Sequence, residues 1–315
     1  MAINRVEIKD FLVFKGEFSA DFCPGVNVFI GGNGTGKTTL LKAMYVGYKG
    51  CFAGRGTDEL IDEYFGANTP YNLDNVRITP DETAYHMEFN IPGDVYIPEK
   101  DILEHSKGLL TFIEQKQTGF GQVYKDVLIS AQDVPTQEQS EAQKAIGQKI
   151  IAVTGGDVCW DKGDGSFYTL KTDGTRIPFA KEASGYKKFG YLGLLVATGQ
   201  LEPGSVLFWD EPENSLNPEL VPILVEILLK LANSGVQIFI ATHDYNLARY
   251  FDVRKDKNIP VLFHNLTNNN EGQIVCNSSQ EYLKLPDNKL ETASADLFNA
   301  VVNAGFEALE GSDDE

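Results

Sequence analysis

Gly31-Gly32-Asn33-Gly34-Thr35-Gly36-Lys37-Thr38 has the spacing G-x-x-x-x-G-K-[ST] of a phosphate-binding loop. Each residue type has a physical reason. Gly31, Gly32, Gly34 and Gly36 let the backbone take positive φ and turn its N–H groups toward phosphate oxygens without Cβ clashes. Lys37 brings a mobile positive charge for β- and γ-phosphates, and the Thr38 hydroxyl is placed to hold Mg²⁺. Thr39 continues into a helix whose free amides and positive dipole end face the same anion. The plain alternative is a glycine-rich turn that binds nothing. Its place between a strand and a helix speaks against that.

Three later stretches supply what such a loop lacks. Val206-Leu207-Phe208-Trp209 is an apolar run that ends in Asp210-Glu211. Asp210 reads as a Mg²⁺ ligand beside Thr38, and Glu211 as the group that orients or deprotonates the attacking water. An acidic strand end facing solvent is the alternative. Ser184-Gly185 opens a helix, with Ser184 suited to the N-cap. Lys187 and Lys188 then fall in its first turn, where the dipole disfavours cations. A docked anion would relieve that conflict; an exposed helix end with two solvated lysines is an equally good reading. His243 closes the strand Val236–Ala241 and is read as a γ-phosphate contact, although alone it would be an ordinary strand-end histidine. His86, His105 and His264 show no partner spacing.

The elements that position these residues follow from periodicity. Val26, Val28, Phe29 and Ile30 form a short buried strand before the glycines. Alternation around Ile3, Val6 and Ile8, and around Phe18, Ala20 and Phe22, predicts two antiparallel strands ahead of it. The Lys37 helix is expected to end near Gly47 or Gly50. A short helix is expected over Asp58–Phe65, strands over Val76–Thr79, Ala84–Asn90 and Val95–Ile97, and a helix from about Asp101. Polar helices are expected over Leu109–Ala131 and Thr136–Ala152. Lys162-Gly163-Asp164-Gly165 and Thr172-Asp173-Gly174-Thr175 punctuate a small β-meander over Gly155–Phe179. Asn217-Pro218 starts a helix with Val221, Leu224, Leu228 and Leu231 at helical spacing, and Val236–Ala241 returns as a strand. Strand, helix and strand in this order predict a βαβ crossover.

Bulk properties narrow the class. The 315 residues are 42% hydrophobic, enough for a real core. No apolar run reaches membrane-spanning length and MAINRVEIKD lacks a signal core, so a cytoplasmic protein without a membrane partner is expected. Cys23, Cys51, Cys159 and Cys276 are scattered, which argues against a disulfide frame or zinc site. A net charge of −18 makes the chain a poor non-specific nucleic-acid binder unless basic residues gather locally. EALEGSDDE at the end reads as a solvated tail.

Taken together, the P-loop, Ser184-Gly185, Asp210-Glu211-Pro212-Glu213-Asn214-Ser215-Leu216-Asn217-Pro218 and Thr242-His243 resemble the ATP-binding-cassette heads of the SMC, RecF and OLD type. The stretch Ala183–Tyr250 looks like small RecF-like AAA-family ATPases, many of which sit in anti-phage defence operons. The resemblance implies an α/β fold with a mixed sheet and a helical and β-meander lobe inserted between the P-loop and the Ser-Gly motif. It divides the chain into a nucleotide core (1–50 and 180–265), the lobe (51–180) and C-terminal strands, helix and acidic tail (266–315). The separation of P-loop and Ser-Gly motif is too short for coiled-coil arms.

The same resemblance implies a Mg²⁺-dependent ATPase that dimerises head to tail, or builds a higher oligomer. Ser184 and Gly185 would then contact the γ-phosphate across the interface, Ser215, Leu216 and Asn217 would match the D-loop, and His243 the switch histidine. Glu99 resembles the Q-loop position only by its place after Pro98. Phe11 and Phe14 are open both to adenine stacking and to the core. The sequence departs from the pattern at Lys187-Lys188 and at Asp244, where Ser is common. The leading expectation is an ATP switch for a partner effector, nuclease or toxin, in anti-phage defence. A RecF-like clamp on duplex DNA and a non-catalytic ATP-bound scaffold are the alternatives.

Overall fold

A computed structural model of the chain describes residues 2–53, 63–65, 76–80, 94–100, 103–109, 113, 122–132 and 138–310. The expected strand over Ala84–Asn90, the starts of the helices expected at Asp58 and Asp101, most of Leu109–Gly121 and the tail from Gly311 lie outside the described residues.

Strand β3 (Val26–Gly31) is buried along its whole length, as a strand covered on both faces must be. It pairs in parallel with β10 (Gln237–Ala241) on one side and β11 (Val261–Asn268) on the other. Next to β10 lies β9 (Val206–Asp210), then β5 (Asp94–Ile97), both parallel. An antiparallel β12 (Ile274–Ser279) closes the other edge, giving a six-stranded mixed sheet. The helix between β9 and β10 makes the expected βαβ crossover.

Alternation along these strands feeds two cores. Val26, Val28, Ile30, Leu207, Trp209, Ile238 and Ile240 face one layer. That layer holds helices α3 (Glu141–Thr154), α4 (Ser184–Ala197) and α5 (Val221–Asn233). Phe29, Phe208, Phe239 and Ala241 face the other layer, which contains α1 (Lys37–Ala53) and a three-stranded antiparallel sheet. That sheet has the order β2 (Phe14–Asp21), β1 (Ile3–Phe11), β4 (Val76–Pro80). Phe208 and Phe239 stack with centroids 5.2 Å apart, so cross-strand aromatics hold the register of the central pair. Helix α2 (Gln122–Ser130) packs against β5.

The meander is present as β6 (Gly156–Asp161), β7 (Ser166–Lys171) and β8 (Arg176–Pro178). Helix α3 begins later than expected, because Ser140 caps it in a reciprocal box with Gln143. Helix α1 runs through Gly47 and Gly50 to Ala53, since the turn at Gly47 is packed against Ile78 and tertiary contact outweighs glycine's poor propensity. Pro218 starts only a single 3₁₀ turn, capped by Asn217, before α5 begins at Val221. Phe11 and Phe14 are fully buried in the second core, so neither is a surface on which a base can stack. Helices α6 (Tyr245–Arg254) and α7 (Lys289–Glu310) follow in the C-terminal part. Among the described residues no helix is long and apolar enough to cross a membrane.

One side chain ties the two sheets together. Gln237 is buried at the start of β10; its Oε1 accepts from Ile3 N at 2.7 Å, and its Nε2 donates to Ile3 O at 2.9 Å and Cys23 O at 2.8 Å. Gln237→Leu keeps the shape but orphans buried backbone groups, so the unfolding free energy is expected to fall by roughly 3 kcal/mol. Urea denaturation of the two proteins measures it.

Candidate nucleotide site

The site forms where the parallel strands end, the place open α/β sheets reserve for ligands. After β3 the chain makes the P-loop, after β9 it carries Asp210-Glu211, after β10 Thr242-His243, and after β5 Pro98-Glu99. Register brings them level, since Ala241 pairs with both Phe29 and Asp210. Gly31 takes φ +146° and a Cβ there would meet Leu266 O at 2.4 Å, so only glycine fits the turn out of β3. Thr35 Oγ1 donates to Gly32 O at 2.9 Å and fixes the loop.

Lys37 is buried and donates to Gly31 O at 2.8 Å and Gly32 O at 3.2 Å. Burial lowers its pKa, while Glu211, Asp210 and Glu213 act the other way. Thr38 Oγ1 donates to Asp210 Oδ1 at 3.2 Å, so hydroxyl and carboxylate meet as a Mg²⁺ pair requires. Burial pushes Asp210 up to about 6, partly offset by the Thr38 hydrogen bond. A buried acid whose ionised form lacks a full set of partners is suited to a cation. The donor set and the buried lysine therefore fit a Mg²⁺-bound nucleoside triphosphate.

Glu211 sits at φ +48°, a strained position for a residue with a Cβ. Its N–H donates to Ala241 O at 2.9 Å, and its carbonyl accepts from Lys188 Nζ at 2.8 Å. Lys188 also donates to Pro212 O at 3.2 Å, so it holds the turn that aims the carboxylate. Glu211 Oε2 lies 2.7 Å from His243 Nδ1. A cleft of about 330 Å³ beside the P-loop is lined by Asn33, Gly34, Gly36, Lys37, Thr38, Thr39, Glu99, Glu211, His243 and Val13.

Ser184 and Gly185 are elsewhere. They do not line that cleft; Gly185 packs against Leu216 and Ser215, and Ser184 is exposed. Ala183, not Ser184, occupies the N-cap, and Ser184 is the first helical residue. The two lysines are not left waiting for an anion: Lys187 is buried against Glu104, and Lys188 holds the Glu211 and Pro212 carbonyls. Tertiary partners more than 20 residues away resolve what local helix electrostatics left in conflict.

Glu213 and Asn214 carry more than the sequence reading assigned them. Thr242 Oγ1 donates to Glu213 Oε1, and Asn214 Nδ2 donates to Glu99 Oε1 at 3.0 Å. One atom each of Glu211, Glu213 and His243 lie within 4.8 Å of one another. Burial first, then the adjoining Glu211, pushes Glu213 up to about 8. The signal available beforehand was a second acid two positions past the first, beyond a proline.

Residues 110–249 match a family described as an AAA domain, putative AbiEii toxin, Type IV TA system, and residues 1–49 match the AAA ATPase domain family. The DNA replication and repair protein RecF of Lactobacillus gasseri is 53% identical over 45 residues, 14% of this chain and 12% of that protein. The glutamate/aspartate import ATP-binding protein GltL of Escherichia coli K12 is 35% identical over 49 residues, 16% of this chain and 20% of that protein. The matched stretch thus spans about an eighth of RecF and a fifth of GltL. An SMC head solved bound to the C-winged helix domain of ScpA superposes with a TM-score of 0.50 at 13% identity, covering 89% of this chain and 98% of that one.

A raised acid favours the folded state at low pH. The Glu213 contribution is complete below the ordinary carboxylate range and is lost as pH rises toward about 8. Glu213→Gln cannot ionise, so its stability is expected to fall less than the parent's between about pH 6 and pH 8. Denaturation midpoints across that range compare the two. The chain thus carries a P-loop fold like that of an SMC head, and two of its stretches match families described as AAA ATPase domains.

Proposed function

We propose that this chain hydrolyses ATP between two head-to-tail copies and so switches a partner effector. The supporting observation is a division of labour within one protomer. Lys37, Thr38, Glu211 and His243 line one cleft, while the exposed Ser184 lies outside it, next to Gly185, which packs on Leu216 and Ser215. A single copy therefore lacks the third side of a γ-phosphate site, and a second copy supplies it from its own α4.

In this reading the P-loop amides and Lys37 bind the β- and γ-phosphates. Thr38 and Asp210 hold Mg²⁺, which neutralises charge on the phosphate oxygens when bound. Glu211 accepts a proton from water as that water attacks the γ-phosphorus and ADP leaves. His243 lies at the edge of the cleft and contacts Glu211, which suits a sensor of the γ-phosphate. Closing on ATP and opening after hydrolysis is a ligand-driven shift between two assemblies.

The effector reading, a nuclease or toxin partner in a defence setting, draws support from the description of the family matched over residues 110–249. The RecF likeness is confined to a short stretch and is shared in kind by an import ATPase. With a net charge of −18 it does not favour a clamp on DNA.

Lys37→Ala is expected to abolish ATP binding, read with labelled nucleotide; retained binding would refute the site. Glu211→Gln is expected to trap an ATP-bound dimer. Light scattering should then show the mass doubled with ATP, and an unchanged mass would count against the sandwich.

A further inference from the structure

The turn after β9 carries two acids, of which Glu211 is the base and Glu213 is left unused. They stand either side of Pro212. Asn214 N donates to Glu211 O at 3.2 Å, and Leu216 N donates to Glu213 O at 2.9 Å. This tight turn gathers the two carboxyls and the His243 ring, one atom of each within 4.8 Å of the others. Glu211 Oε2 and Glu213 Oε2 are both buried, and among the described residues no hydrogen-bond donor is aligned on either; His243 Nδ1 lies 2.7 Å from the first. Two buried carboxylates this close repel each other. The conflict is relieved when one of them carries a proton and donates it to the other.

The surroundings decide which one holds the proton. Burial, then a hydrogen bond with the Glu211 side chain, pushes Glu213 up to about 8, so at neutral pH it is an uncharged carboxyl. The charged and titratable groups facing it are Glu211 on its own turn, Lys37 from the P-loop side and His243 after β10. Lys188 of α4 is engaged with the Glu211 and Pro212 carbonyls. The second Glu213 oxygen, Oε1, accepts from Thr242 Oγ1. Thr242 Oγ1 in turn accepts from Asp244 N at 2.9 Å, and Asp244 Oδ1 accepts from Leu247 N at 2.6 Å and caps α6. His243, with a side chain 62% exposed, is thus flanked by two residues that are fixed in a chain starting at Glu213.

We infer that Glu213 is a positioning residue: as an uncharged carboxyl it donates to Glu211 and accepts from Thr242, and so aims the base and the histidine into one cleft. The inference rests on the reading of Glu211 as the group that activates water. A glutamine at 213 has the same shape and makes the same two bonds, its amide N–H toward Glu211 and its carbonyl toward Thr242. A leucine fills the space and makes neither.

ATPase assays on the full chain with Mg²⁺ compare the parent with Glu213→Leu and Glu213→Gln. Glu213→Leu is expected to lower kcat roughly tenfold or more with KM for ATP within about twofold, because Lys37 and the P-loop amides are untouched. Glu213→Gln is expected to recover most of that loss. It is also expected to lose less rate than the parent between about pH 7 and pH 9, where Glu213 ionises and repels Glu211. A leucine variant with parental kcat overturns the inference, as does a glutamine variant that is as slow as the leucine one or follows the parent's pH profile. A second measurement needs no turnover. In histidine-labelled protein without nucleotide, the His243 imidazole NMR signals, assigned by their loss in His243→Gln, are expected to coincide in parent and Glu213→Gln and to be displaced in Glu213→Leu. Signals unmoved in Glu213→Leu overturn the positioning role. Displaced signals in a parent that does not hydrolyse ATP would refute the proposed function while supporting the link from Glu213 to His243.

Discussion

A lysine taken out of water governs this structure. Lys37 is buried at the mouth of the sheet, and a buried ammonium is tolerated only with hydrogen bonds and opposite charge around it. The loop carbonyls of Gly31 and Gly32 supply the first, and Asp210, Glu211 and Glu213 the second. For those acids to be there, β9 has to end level with β3, with β10 between them. Parallel pairing through Phe29, Ala241 and Asp210 produces that alignment. The central strands are accordingly apolar on both faces, and aromatic stacking between Phe208 and Phe239 keeps them in register.

The same crowding of charge shapes the second layer of the site. Glu213 sits against Glu211, and two carboxylates so placed do not both ionise readily. Lys188 reaches from α4 to the carbonyls of Glu211 and Pro212, and Asn214 reaches Glu99 at the end of β5. The turn after β9 is therefore held from two sides. It carries the strained φ of Glu211 and that of Ser215 at +64°, which such support makes affordable. The helix that bears the exposed Ser184 thereby touches the backbone of the acidic turn within the same protomer, through Lys188.

Much of this was legible in the residues alone. The P-loop, the acidic strand end, the βαβ crossover, the two leading antiparallel strands and the meander all rest on strong local patterns, period two or period 3.6 with turn chemistry at the ends. The errors cluster where a distant partner outweighs a local rule. Helix α1 continues through Gly47 because Ile78 packs on it. Helix α3 starts at Glu141 because Ser140 and Gln143 cap each other. Phe11 and Phe14, which the residues alone left open between adenine stacking and the core, fall to the core because β1 and β2 fold over α1.

Sequence by itself singled out the residues whose types suit phosphate, a cation and water activation, since those demands are written in residue type at short spacing. Tertiary structure alone decided which of them meet. Lys187 and Lys188 were open between an anion site and a solvated helix end because helix dipoles act over a single turn, and Glu104 and the Glu211 carbonyl are the partners instead. Ser184 was read as meeting the P-loop only across an interface between two copies, and within one copy folding keeps it out of the cleft beside Lys37. Contacts between residues far apart in the chain depend on how sheets and helices stack, and no local pattern encodes that.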